Sequence, residues 1–189
     1  MDAGLILLLV MLGLVLLIVF FVWSSYNRLV TMRQRVRESW SGIDVQLKRR
    51  SSLVPNLVET VKGYAAHERA VFENVTKARA AMMSAGTPQQ AAQADNMLTG
   101  ALKSLFAVAE AYPQLRANEN FLQLQKELAD IESKIAYARQ FYNTNVRDLN
   151  TSIQTFPTVL IARNFGFKEE GYFEAEEAAR GDVTVKFTA

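Results

Sequence analysis

The chain has 189 residues, half of them hydrophobic, with no cysteine, a single histidine (His67) and a formal net charge of +2; its length favours one domain. Without a thiol there is no disulfide, Cys-zinc site, iron–sulfur cluster, cysteine nucleophile or lipidated cysteine, and one histidine rules out paired-histidine metal motifs within one copy. Only 4 Pro and 9 Gly, in a chain rich in Ala, Leu, Gln, Glu, Lys and Arg, predict helix rather than sandwich or barrel.

Residues 3–23 carry no charged side chain. At 1.5 Å per residue such a run spans a hydrocarbon core of roughly 30 Å and predicts a transmembrane helix. The rival reading is a cleavable signal peptide, with a small-residue cleavage site at Val22-Trp23-Ser24. Against it, the leading residues lack a basic region and the apolar run is long. Trp23 and Tyr26, with Arg28 just beyond, fall where the membrane interface should lie. Residues 27–50 hold seven basic side chains against Glu38 and Asp44. Positive flanks stay inside, so the N-terminus is expected outside and the rest in the cytoplasm.

Beyond the anchor, Leu29, Met32, Val36, Trp40, Ile43 and Leu47 recur at spacings of three and four, one stripe of a helix continuing directly from the membrane. Ser51-Ser52 followed by Pro55 reads as a helix end and restart, with a kinked continuous helix as the alternative. A second stripe, Leu57, Val61, Tyr64, Val71, Val75, Ala78 and Met82, ends near Gly86, where Thr87-Pro88 caps the next helix. The third stripe is Leu98, Leu102, Leu105, Ala109 and Tyr112, stopped by Pro113. The fourth starts at Asn118 or Asn120 and runs through Phe121, Leu128, Ile135, Tyr142 and Leu149 to Ile153, closed by Pro157. Gly42, Gly63 and Gly100 fall inside these helices, where each costs about 1 kcal/mol against alanine; they either permit close helix approach or are tolerated surface positions.

Four amphipathic helices joined by short turns bury their stripes most economically against one another. The expected fold is therefore all-α, a transmembrane helix followed by an antiparallel four-helix bundle with long helices. Its divisions are 1–26 (anchor with a short N-terminus), 27–157 (bundle) and 158–189. The last segment is glycine-aromatic, then acidic, and its alternating end at Val183 to Phe187 suggests a short strand. Its aromatics are expected to dock on the bundle end.

Five strings in this chain, SWSGIDVQLKRR (39–50), LVPNLVETVKGYAAHE (53–68), AYPQLRANENFLQLQKEL (111–128), AYARQFYN (136–143) and FPTVLIARNFGFKEEGYF (156–173), resemble those of the LemA family, in the same order. The likeness spans nearly everything after Tyr26. It implies a bacterial protein with one N-terminal transmembrane helix and a cytoplasmic antiparallel helical bundle, with no established enzymatic activity. The bacterial inner membrane is the expected location.

The family does not supply a function, so the residues are asked directly. Lys48, Arg49 and Arg50 form a positive run at the expected helix end, where cations also complement the helix dipole. A helix of about 35 Å between Tyr26 and Arg50 sets the trio far from the bilayer, so a protein partner suits it better than lipid. Glu169, Glu170, Glu174, Glu176 and Glu177 are the complementary acidic candidates for contacts between copies. Nucleic acid is not expected, because the balance beyond the anchor is only +3 and no recognition motif occurs. No P-loop, G-x-G-x-x-G or G-x-S-x-G motif occurs either, and His67 has no accompanying nucleophile or second ligand. No catalytic residue, metal site or cofactor is therefore expected.

The apolar residues Val30, Trp40, Ile43 and Val45 on the first helix, and Tyr137, Phe141 and Tyr142 on the last, exceed what one seam needs. The expectation is a membrane-anchored scaffold that self-associates as a trimer or larger and contacts an unidentified protein partner. The alternative is an adaptor or regulator of a membrane enzyme or envelope-stress system.

Overall fold

The computed structural model describes residues 3–173, and these are helical nearly throughout. Six helices follow in order: α1 (Ala3–Lys62), α2 (Arg69–Ser84), α3 (Pro88–Glu110), α4 (Pro113–Arg116), α5 (Glu119–Gln154) and α6 (Thr158–Asn164). No strand occurs among the described residues; the expected terminal strand lies outside them.

The chain forms two compact units. One combines residues 3–39 with Tyr142–Glu170; the other combines Trp40–Phe141 with residues 171–173. In the second, one apolar core joins Val54, Leu57 and Val61 of α1, Phe72, Val75 and Ala78 of α2, Leu98, Leu102 and Leu105 of α3, and Phe121 and Leu128 of α5. Four amphipathic stripes thus share a core, as their periodicity requires. In the first unit Leu29 and Val36 of α1, Tyr142, Val146 and Leu149 of α5, and Ile161 and Ala162 of α6 are buried.

Two helix boundaries differ from the sequence expectation. No break occurs at Ser51-Ser52 or Pro55: α1 continues through both to Lys62. Pro55 has no N–H, so the carbonyl of Ser51, four residues back, loses its helical partner. Arg79 of α2 supplies the replacement, its Nε donating to the Ser51 oxygen at 2.9 Å. The second correction concerns the helix expected from Leu57 to Met82, which is interrupted by a turn at residues 63–68. There the Tyr64 and Ala65 amides both donate to the Val61 carbonyl. Val61, Ala65, Phe72 and Val75 keep helical phase across the turn, so periodicity alone reads straight through it.

Of the two readings of the interior glycines, the tolerated surface position holds, since Gly42, Gly63 and Gly100 are all exposed. Gly63 lies in this turn, and a Cβ on Gly42 or Gly100 would meet nothing within 4 Å, so none of the three serves a close helix approach. Trp40 is half-buried rather than central to a seam, with its ring centroid 6.3 Å from that of Phe173. The expected caps are present. Thr87 accepts from the Gln90 amide at 3.2 Å, with Pro88 in the first turn of α3, and Asn118 accepts from the Phe121 amide at 3.0 Å.

Replacing Arg79 by Met strands the Ser51 carbonyl in a buried position and should cost about 1–3 kcal/mol in denaturant unfolding. Adding Pro55→Ala restores the missing amide. Most of that loss should then be recovered, and a double variant no more stable than Arg79→Met alone contradicts the assignment.

Candidate functional site

The positive run divides in the structure. Lys48 is exposed and pairs with Asp44 one turn earlier on α1, at 2.7 Å, and Arg49 is exposed. Arg50 is buried, at 4% exposure. It does not stand at a helix end, because α1 runs on for twelve residues to Lys62, and it offers no surface to a partner. Its Nη1 donates to Asp95 Oδ1 of α3 at 2.7 Å, and its Nη2 lies 3.1 Å from Glu132 Oε2 of α5. Arg139 of α5 approaches the second Asp95 oxygen at 3.8 Å and sets its guanidinium 5.2 Å from the Phe173 ring centroid.

Two arginines and two carboxylates thus form a neutral network joining three helices. Burial pushes the Asp95 carboxyl above its usual range, with the Arg50 charge pulling against that rise and Glu132 adding to it. A cleft of about 260 Å³ opens beside the pair, its wall including Arg50, Glu132, Lys103, Leu102 and Phe106. Because the two terminal nitrogens of Arg50 already face carboxylates, this cleft has no free guanidinium with which to take an anion.

Arg50 was detectable in the sequence by register. Ile43, Leu47, Arg50, Val54, Leu57 and Val61 are spaced four, three, four, three and four, so Arg50 sits on the stripe itself. Ala91, Asp95, Leu98, Leu102 and Leu105 place Asp95 equally squarely on the α3 stripe. Opposite charges interrupting two apolar seams are a pairing signal, because a buried charge needs a partner.

The aromatic segment after α6 is the other constructed feature. Gly166 has φ +70°, the left-handed conformation that follows a helix end. The amides of Gly166 and Phe167 donate to the carbonyls of Arg163 and Ala162, turning the chain back sharply. This delivers Phe167 and Phe165 to α1, where their ring centroids lie 5.8 Å and 5.0 Å from that of Tyr26, and Arg33 stacks 5.0 Å from Phe167. The following extended segment is pinned to α5: Asn150 both donates to the Glu170 carbonyl and accepts from its amide, each at 2.9 Å. Burial, assisted by the charge of Glu170, pushes the nearby Tyr142 phenol up to about 12. Glu169 accepts from Gln154 at 3.0 Å. Tyr26, expected only as an interfacial residue, therefore also anchors this segment. Trp23 and Arg28 are exposed, and Glu174, Glu176 and Glu177 lie outside the described residues. His67 lies exposed in the turn between α1 and α2 rather than on a helix stripe.

The apolar beginning of α1 is long and hydrophobic enough to cross a membrane, and none of that stretch is buried by protein. It fits a membrane anchor. The LemA family model matches residues 39–187. The chain belongs to the LemA family. Among its relatives, Magnetosome protein MamQ of Magnetospirillum gryphiswaldense is 26% identical over 186 residues, covering 85% of this chain and 68% of that protein. Magnetosome protein MamQ 2 of Paramagnetospirillum magneticum gives the same identity and coverage. Protein LemA of Metamycoplasma hominis is 26% identical over 171 residues, covering 88% of this chain and 77% of that protein. The family match includes the residues of the Arg50–Asp95–Glu132–Arg139 network and the aromatic turn around Gly166.

Breaking one side of the buried pair should be far worse than removing both. Asp95→Ala leaves Arg50 buried beside a single half-exposed carboxylate and should destabilise by about 3–5 kcal/mol. Arg50→Met combined with Asp95→Leu should lie within about 1–2 kcal/mol of wild type or above it, since apolar replacement of a buried pair is often neutral or stabilising. Chemical denaturation of the three proteins decides this, and equal losses in the single and double variants contradict a paired role.

Proposed function

We propose that this protein is a non-catalytic helical scaffold held at the cytoplasmic face of the bacterial inner membrane by the first third of α1. It acts through contacts with its own copies and with a protein partner. The observation that carries the reading is the distribution of apolar surface. The core of the second unit is already filled by its four stripes, yet Val45 on α1 and Tyr137 and Phe141 on α5 stay exposed. Tyr137 and Phe141 are four residues apart, so they form one ridge on the outer face of α5. Large aromatic side chains kept on a solvent-facing ridge are what a protein contact would cover.

Association of parallel anchored copies is compatible with a closed ring or trimer, since all copies point the same way in the bilayer. Arg49, and Lys48 by exchanging its exposed pairing with Asp44, can meet acidic side chains of another copy, among them Glu169, Glu170, Glu174, Glu176 and Glu177. Arg50 cannot, being committed within its own chain. The seven-to-two excess of basic over acidic residues after the span supports an outside N-terminus.

Light scattering of the full-length protein in detergent should give a mass of three or more copies at micromolar concentration and moderate salt. Tyr137→Lys with Phe141→Lys should reduce that mass to one copy while helix content is unchanged. A wild-type monomer under these conditions overturns the scaffold reading. A reporter fused after Ala189 should register in the cytoplasm, and periplasmic activity there would reverse the orientation.

A further inference from the structure

We infer that the protein touches the bilayer twice: once through the spanning part of α1, and again through a surface patch formed by Phe156, Leu160 and Phe165 around α6. The patch rests on the reading of α1 as a membrane span and extends it to a second, peripheral contact. Its residues are 76%, 52% and 54% exposed, respectively. On the other side of the same short helix, Ile161 and Ala162 are buried against protein, so α6 is apolar on both faces and only one is covered.

The height of the patch is set by Tyr26. That residue stands three positions beyond Trp23, about 4.5 Å along the helix axis, and its ring packs at a tilt against Phe165, 5.0 Å between centroids. Along α1 the large side chains up to Phe21, and Trp23, are exposed. Protein cover begins at Ser25 and is complete at Leu29. The packing of the first unit therefore starts at Ser25, just after the apolar run ends at Trp23, and the turn carrying Phe165 lies at that level. An apolar face there is continuous with the span and meets the headgroup region, where aromatic side chains partition well. Exposed Arg163 and Lys168 flank it and suit anionic headgroups, as on helices that lie in the interface. A second copy reaching this face would have to displace lipid from beside the span, so the bilayer surface is the occupant.

The chain has no cysteine, so single-cysteine variants of the full-length protein can be made without a background. Phe156→Cys and Leu160→Cys carry nitroxide labels in vesicles of phosphatidylcholine and phosphatidylglycerol. Trp23→Cys is the reference for the span, and Glu38→Cys, exposed about 18 Å beyond Tyr26 along α1, is the aqueous reference. The expected result is that labels at 156 and 160 favour collision with oxygen over a water-soluble nickel complex by a ratio close to that at 23 and several-fold above that at 38. A ratio at both positions equal to that at 38, with 23 in lipid, overturns the second contact while leaving the span intact. Protection from both reagents at 156 and 160 also overturns it, because protein then covers the face. An aqueous ratio at 23 removes the span reading and this inference together.

Discussion

α1 changes character along its length, from apolar on every side to apolar on one stripe, and the rest of the fold answers to that change. Its first part is apolar on every side and left uncovered by protein, which fits a membrane anchor, and its backbone groups are satisfied within the helix, as a bilayer would demand. From Ser25 onward only a stripe is apolar, and that stripe has to be covered by other helices. Sixty residues in one helix are long for a soluble domain, and from Ser25 onward packing against other helices supports it. In the first unit the cover comes from the end of α5, from α6 and from the aromatic turn that Gly166 makes; in the second it comes from α2, α3 and α5.

The buried charges in the second unit fit a role in specifying which helices meet. Apolar stripes of Leu, Val and Ala pack against one another in several registers with similar energy, because hydrophobic burial is non-directional. Arg50 and Asp95 restrict this, since a slip of one helical turn would leave a guanidinium and a carboxylate buried without partners. Glu132 and Arg139 extend the same constraint to α5. The network is electrically neutral, and its contribution to net stability is small beside its cost when broken.

The helical class, the membrane-length run, the stripes of α3 and α5 and the caps at Thr87 and Asn118 were all legible, because each is local or strictly periodic. What failed was also local in origin. Pro55 carries a strong breaking signal, and nothing near it in sequence reveals that Arg79, twenty-four residues later, would satisfy the orphaned carbonyl. The turn at residues 63–68 was hidden because the stripe stays in phase across it. Arg50 was grouped with its neighbours Lys48 and Arg49 by charge, although its register assigns it to the core; reading charge before phase concealed the one buried member of the trio. The aromatic turn was visible as composition, while its docking on Tyr26 depends on a left-handed glycine and could not be read from spacing.

The repair at Ser51 has a consequence for the order in which the chain acquires structure. During synthesis the span and the segment up to Pro55 emerge first, and the carbonyl of Ser51 then has only water as a partner. Its protein donor arrives only after residue 79 has been made and α2 has folded back. The last two turns of α1 are therefore not a local property of their own sequence: the continuous helix of the completed protein draws on a donor that a chain ending before α2 would lack. The α2 segment thus completes α1 by supplying, from twenty-four residues further along the chain, the donor that Pro55 withholds.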